Sequence, residues 1–400
     1  MALLLLAGTV RADEVTLERA LALAESQHPL LRAGAAHVEE AAAGIITARA
    51  YPNPETTFAA GKQTAPPPSP RNGVPLVSVA QPLELGPLRP TRIELAERGR
   101  QSSEFFLGEV RLGVLSHVRR TFFQVLRRIG EVDIARDNLQ LVQDLRNRIQ
   151  VRVDVGEVGR LELVRAEAEV ASARTLASSA QLQRVTAVAQ FRAAVGGGLE
   201  PNIEITGSLD EEVDLPPIDE LRRQAVQLHP SIGLAQSEVR RADARVAYET
   251  ALRRPQPTVL TELDQTGPQY RVGVSLPVPL WNRRQGPIAE ASASLRQATA
   301  AAQAREIEIL AALEGAYERY AVATEQLSLF EQGLLREAEE ALRAAEVAYQ
   351  LGERGILEVL DAQRLLRSVR LNYLNAQFDR QAALVDLDEL RGVDLRRNIP

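Results

Sequence analysis

Glu358 and Asp361 stand three residues apart, and Arg354 precedes them by one turn. On a helix, residues three apart share one face. Carboxylates gathered around a common axis attract cations and resist full ionisation, because each negative charge raises the pKa of its neighbours. The chemistry this pair permits is therefore a cation-selective constriction, with Arg354 placed to tie it shut through ion pairs. Acids in a first helical turn also complement the helix dipole, and the residues by themselves leave both readings open. An earlier segment of the chain repeats the pattern in part. There Glu162 matches Glu358, but Arg165 stands where the later segment has Asp361.

No other constellation suggests catalysis or tight binding. His28 and His229 each precede a proline at equivalent places, which points to a shared packing role; His37 and His117 are isolated. No histidine pair has metal-ligand spacing. The chain has no cysteine and only the initial methionine, so it offers no soft-metal site. Glycine-rich phosphate loops and nucleophile elbows are missing too. The expectation is a protein that is not an enzyme and carries no cofactor. Net charge is −6 with a pI near 5.6, so no nucleic-acid partner is indicated. Lys62 is the sole lysine among 47 basic residues.

The elements that must position the acids follow from the prolines. Of 22, eleven fall at positions 29–90 and ten at 201–287, and the last is Pro400. A proline inside a helix costs roughly 3 kcal/mol, so the proline-free blocks 91–200 and 288–399 read as helix. Such blocks leave no room for the regularly spaced strands of an α/β enzyme. Residues 2–10 form a short apolar run, followed by Val10-Arg11-Ala12, which reads as the end of a secretory leader over 1–12. No stretch elsewhere reaches the ~18 apolar residues of a spanning helix.

The chain also repeats itself. His28-Pro29 matches His229-Pro230 at an offset of 201 residues. The stretch Val77 to Leu85 matches Val272 to Leu280 at an offset of 195. The tip segment Gly156 to Leu163 matches Gly352 to Val359 at an offset of 196. Two repeats are expected, 13–206 and 207–400. Each begins with a helix (16–50 and 218–252) and continues into a hairpin (about 55–82 and 257–278) with strands of about nine residues. A very long helix follows (91–153 and 288–350), which at 1.5 Å per residue extends roughly 95 Å. A Gly-x-x-Gly break leads to a return helix (160–195 and 356–391). The break glycines, Gly156 with Gly159 and Gly352 with Gly355, permit a tight left-handed turn between antiparallel helices. In the last helix Ile356, Val359, Leu360, Leu366, Val369, Tyr373 and Leu374 form an apolar stripe.

The hairpins alternate strictly: Tyr270, Val272, Val274 and Leu276 against Arg271, Gly273 and Ser275. Nine residues is the length of a tilted membrane strand. Four strands cannot close a barrel, and lipid forbids open edges. Several copies must therefore contribute; three would supply twelve strands. Tyr51 and Trp281 sit just outside the strands, where an interfacial aromatic girdle lies, although packing at a strand–helix corner explains either residue as well.

The order of these elements, together with His28-Pro29, Tyr51-Pro52-Asn53-Pro54, Gln81 to Gly86 with Arg89, Leu276 to Arg283 with Gln285-Gly286, and the tip motif Tyr349 to Gln363, resembles the TolC-like outer-membrane efflux proteins. Within them it is similar to the outer-membrane component of cobalt-zinc-cadmium-type metal efflux systems. It departs from that branch at Gly86-Pro87-Leu88-Arg89-Pro90. The resemblance implies a mostly α fold with a small membrane β-barrel: a homotrimer with a twelve-stranded barrel in outer-membrane lipid and a long α-helical barrel in the periplasm. It implies docking of the tips to a periplasmic adaptor protein, an inner-membrane pump of the resistance-nodulation-division type, and passive export of divalent heavy-metal cations. Drugs or secreted protein are the alternative cargo. A soluble periplasmic coiled-coil scaffold is the competing reading, and the alternating strands separate the two, since a scaffold needs no lipid-compatible sheet.

Overall fold

The computed structural model describes residues 13–61, 74–200, 202–211, 213–264 and 269–392. The expected leader, Lys62 and most of both hairpin loops lie outside the described residues. Strand β1 (Asp13–Val15) is followed by helices α1 (Leu17–Gln27) and α2 (Pro29–Arg49). Strands β2 (Glu55–Gly61) and β3 (Val74–Pro82) come next, then α3 (Leu88–Asp154) and α4 (Arg160–Val195). Strand β4 (Ile203–Ile205) leads to α5 (Ile218–Leu228) and α6 (Pro230–Ala251). The order then recurs: β5 (Thr258–Asp264), β6 (Gln269–Ser275), α7 (Gln285–Leu329), α8 (Leu335–Gln350) and α9 (Ile356–Arg391).

Three expectations need correction. The helices expected at 16–50 and 218–252 are each broken in two, at His28 and at His229, where the backbone turns extended. The cause is local: the ring of the following proline disfavours helical geometry in the residue before it. His28 makes use of the break, its Nδ1 accepting the Leu30 N–H at 3.2 Å and so starting α2. Second, among the described residues the strands cover seven, nine, seven and seven residues, against about nine expected for each. Third, the long helix expected at 288–350 is interrupted at Phe330–Leu334 by a π-type turn, whereas α3 of the first repeat runs unbroken. The return helices α4 and α9 span the ranges read from the sequence.

The chain packs as two compact units, each drawing on both repeats. Among the described residues, one comprises those within 13–32, 110–229 and 308–392. Its core gathers Leu21, Val118, Phe122, Phe191, Val195 and Val385. The short strands β1 and β4, paired in parallel from Asp13↔Ile203 to Val15↔Ile205, close this core by burying Val15 and Ile205. Nothing in a three-residue strand is long enough to mark it in the sequence. A second cluster, with Ile149, Leu342, Tyr349, Ile356, Val359 and Leu360, lies where α3, α8 and α9 meet. The α9 stripe read from the sequence supplies its largest share.

The other unit, residues 33–109 and 230–307, carries a four-stranded antiparallel sheet in the order β2-β3-β5-β6. Its register sorts the residues into rows. Phe58, Val77, Leu263 and Tyr270 lie opposite one another across the four strands, and the next row is Thr57, Ser78, Glu262 and Arg271. Because successive side chains point to opposite faces, one face is apolar and the other polar. The apolar face is bare: Phe58 and Tyr270 are each 77% exposed. Trp281, just past the sheet, is 90% exposed, and Arg89 stacks on the Tyr51 ring at 4.4 Å. Among the described residues no helix is long and apolar enough to cross a membrane.

Candidate aperture at the helical tips

The tip of each repeat is built by the same backbone device. After α3, Gly156 adopts φ 78°, its N–H donating to Val153 O at 3.1 Å while Glu157 N–H reaches Arg152 O at 2.8 Å. After α8, Gly352 adopts φ 74°, its N–H donating to Tyr349 O at 3.1 Å while Glu353 N–H reaches Ala348 O at 3.0 Å. Both are Schellman turns, which satisfy the last carbonyls of a helix through a left-handed residue that glycine adopts without a Cβ penalty. Gly159 and Gly355 then stand as the N-caps of α4 and α9.

The acids sit on this frame. Glu358 and Asp361 are both exposed in the first turns of α9. The Glu358 carboxylate folds back over Gly355, its Oε2 3.5 Å from where a Cβ would stand, within reach of the helix N-terminus. Asp361 pairs with Arg364 at 3.6 Å rather than with Arg354. Arg364 also binds Glu169 at 2.7 Å, and that contact holds its guanidinium pKa above the ordinary value. Arg354 is exposed, and its backbone N–H donates to Ala348 O at 3.3 Å.

Glu162 is occupied. Its Oε2 accepts the Tyr349 hydroxyl at 2.9 Å, joining the start of α4 to the end of α8 across 187 residues of chain. Burial, reinforced by this carboxylate, pushes the Tyr349 phenol up to about 12. Arg152 completes the joint: its guanidinium lies over the Tyr349 ring at 4.8 Å, donates to Tyr349 O at 3.3 Å and pairs with Glu157 at 3.1 Å. A groove of about 540 Å³ opens beside it, with Arg148, Arg152, Glu346 and Tyr349 among its walls. Sequence reasoning quoted Tyr349 only as part of a motif and missed Arg152, Arg364 and Glu169. Each works through a partner distant in the chain, which no local pattern reveals. Among the described residues no three His, Asp or Glu side chains stand close enough together to hold a metal ion.

The outer membrane efflux protein family profile matches this chain twice, over residues 20–197 and 221–393. The cobalt-zinc-cadmium resistance protein of Cupriavidus metallidurans is 28% identical over 387 residues, 95% of this chain and 91% of its own length. The nickel-cobalt-cadmium resistance protein of Alcaligenes xylosoxydans xylosoxydans is 27% identical over 318 residues, 76% of this chain and 70% of its own. Among solved structures, the CmeC outer membrane channel of Campylobacter jejuni matches with a TM-score of 0.82 at 16% identity, covering 94% of this chain and 85% of that one. At that identity the likeness speaks for the fold, which is TolC-like. A bare amphipathic sheet, paired helical tips and a family match over both halves agree: the chain belongs to the outer membrane efflux protein family.

Proposed function

We propose that three copies of this chain, each a duplicated unit of 13–206 and 207–400, form the outer-membrane duct of a tripartite efflux system for divalent heavy-metal cations. A periplasmic adaptor docks at the glycine tips, an inner-membrane pump of the resistance-nodulation-division type delivers the cargo, and the duct performs no chemistry. The observation that carries this is the sheet. It has one apolar face, one polar face and two unpaired edge strands, β2 and β6. Unpaired edges are not tolerated in lipid, so further copies complete the wall, with the row Thr57, Ser78, Glu262 and Arg271 turned to water. The metal cargo is supported by what the two curated relatives are named for.

Helix α4 supports self-association independently. Leu161, Val164, Ala168 and Ala171, then Leu182, Val185 and Ala189, lie on one stripe at alternating steps of three and four, and all are exposed in the single chain. A 3.5-residue apolar period is the signature of a left-handed coiled-coil seam. A second copy of the chain is the partner that three-fold closure of the sheet brings alongside.

At the tips, Glu358 and Asp361 from three copies form the cation-attracting aperture, and the Tyr349–Glu162 joint holds it narrow. The test is conductance of the purified protein in planar bilayers, paired with metal tolerance of cells expressing it with its pump and adaptor. Cation-preferring pores that lose their preference in Glu358→Gln with Asp361→Asn are expected. Recovery of the protein as a soluble periplasmic monomer would sink the proposal, and restored drug tolerance without metal tolerance would reassign the cargo.

A further inference from the structure

The stretches that join the sheet to the helices, residues 49–54, 83–92, 252–257 and 276–287, contain seven arginines and a single acid, Glu84. This is a sharp local excess of positive charge in a chain whose net charge is −6. Four of the seven are occupied. Arg92 pairs with Glu84 and Arg49 with Glu97, Arg284 is held by the buried Glu249, and Arg89 lies over the Tyr51 ring. The remaining three, Arg253, Arg254 and Arg283, are exposed and meet no carboxylate among the described residues. Arg254 lies against the backbone of Gly86, its Nη1 3.2 Å from where a Cβ would stand.

All three belong to the second repeat, and the first repeat builds the same junction without them. At the offset of 201 residues set by the His-Pro steps, Arg253 and Arg254 correspond to Pro52 and Asn53. At the hairpin offset of 195, Arg283 corresponds to Leu88 and Trp281 to Gly86. The fold therefore does not require these side chains. Beside them Trp281 is 90% exposed, and Leu276, Val278 and Leu280 keep the apolar alternation going past the end of β6, each more than half exposed. An aromatic ring with apolar side chains towards the sheet and guanidinium groups towards the helices is the composition of a membrane–water boundary.

We propose that Arg253, Arg254 and Arg283 bind the phosphate of an anionic phospholipid headgroup in the periplasmic leaflet of the outer membrane, with Trp281 at the top of the acyl chains. This rests on the sheet lying in lipid and not on the cargo. Guanidinium groups engage phosphate oxygens in a bidentate fork. Unpaired ones favour a headgroup of net negative charge over a zwitterionic one, whose own ammonium competes for the phosphate. The nearby acids do not compete, since Glu84 and Glu249 are each already bound to an arginine. The site recurs once under each β5–β6 hairpin of the assembled duct and fixes the height at which the sheet sits in the bilayer.

Trp281 is the sole tryptophan of the chain, so lipid at the site can be read directly. The purified protein is reconstituted into phosphatidylcholine vesicles containing either phosphatidylglycerol or phosphatidylcholine brominated in the acyl chains. Brominated phosphatidylglycerol is expected to quench Trp281 several-fold more effectively than brominated phosphatidylcholine at the same mole fraction, and high salt should shrink the difference. Replacing the three residues together, Arg253→Gln, Arg254→Gln and Arg283→Gln, should make the two lipids equal. Removing three exposed arginines far from the junction, Arg136→Gln, Arg336→Gln and Arg343→Gln, should leave the preference intact, which separates a site from a change in overall charge. Both variants are compared with the parent at matched helical circular dichroism, and the parent's own ratio and salt dependence need no variant. Equal quenching in the parent, a preference that survives in the junction variant, or one lost in the remote variant overturns the site while leaving the sheet in lipid. If neither brominated lipid quenches Trp281, the membrane reading falls together with the site.

Discussion

The Tyr349 hydroxyl donates to the Glu162 carboxylate at 2.9 Å, binding the last turn of α8 to the first turn of α4. A residue from each repeat is needed, so this joint exists only when both tips are folded against one another. The Glu162 carboxylate, which a matched-position comparison with Glu358 marks as an aperture acid, is hydrogen-bonded here as part of a latch between the two tips.

The latch predicts a late tyrosine. Burial and the adjacent carboxylate both disfavour the phenolate, which raises Tyr349 to about 12. A raised folded-state value means that the latch is fully present below the ordinary tyrosine range, near 10, and is lost as pH climbs from there through about 12. Absorbance titration of the folded protein should show Tyr349 ionising late, with Tyr373, whose phenol burial also raises, shifted in the same direction. Tyr349→Phe should remove that late component and leave the others in place.

The sheet predicts a sharp contrast between neighbouring rows. Val272→Arg places a charge on the apolar face, at a cost of about 2–4 kcal/mol near the middle of a bilayer, and should lower the yield of protein assembled in the outer membrane. Ser78→Arg, on the polar face, should leave that yield close to the parent. Equal losses would mean that the two faces do not meet different solvents.

The α4 stripe predicts that assembly fails before folding does. Leu182→Glu with Val185→Glu puts charges into the exposed seam without touching a buried side chain. Native mass measurement in detergent should show loss of the trimer, while helical circular dichroism is retained. A trimer unaffected by both charges would exclude α4 from the interface.

A buried ion pair predicts a large stability effect. Arg119 and Asp388 meet at 2.8 Å with side chains only 7% and 3% exposed, and Arg391 approaches Asp388 from the next turn at 3.3 Å. Removing one partner strands a buried charge, which costs about 3–5 kcal/mol. Asp388→Leu alone should lower the thermal midpoint markedly. Pairing it with Arg119→Met should recover most of the loss, because no unpaired charge then remains between these two positions.

What the sequence determined by itself is local. Prolines and glycines constrain backbone angles at their own positions, so the proline-free blocks and the Gly-x-x-Gly breaks located the return helices α4 and α9 correctly and placed both tip turns. Period-two alternation in 270–276 foretold a two-faced strand, since it depends only on the pleat. The His-Pro steps were visible as well, but their power to break a helix was underrated, although that too is a neighbour effect.

What the tertiary structure decided is non-local. The β1–β4 pair joins residues 13–15 to 203–205, and strands that short exist only because the core beneath them buries Val15 and Ile205. Tyr349 for Glu162, Arg364 for Glu169 and Arg119 for Asp388 lie far along the chain, and a carboxylate's distant neighbours depend on how helices pack, which spacing cannot report.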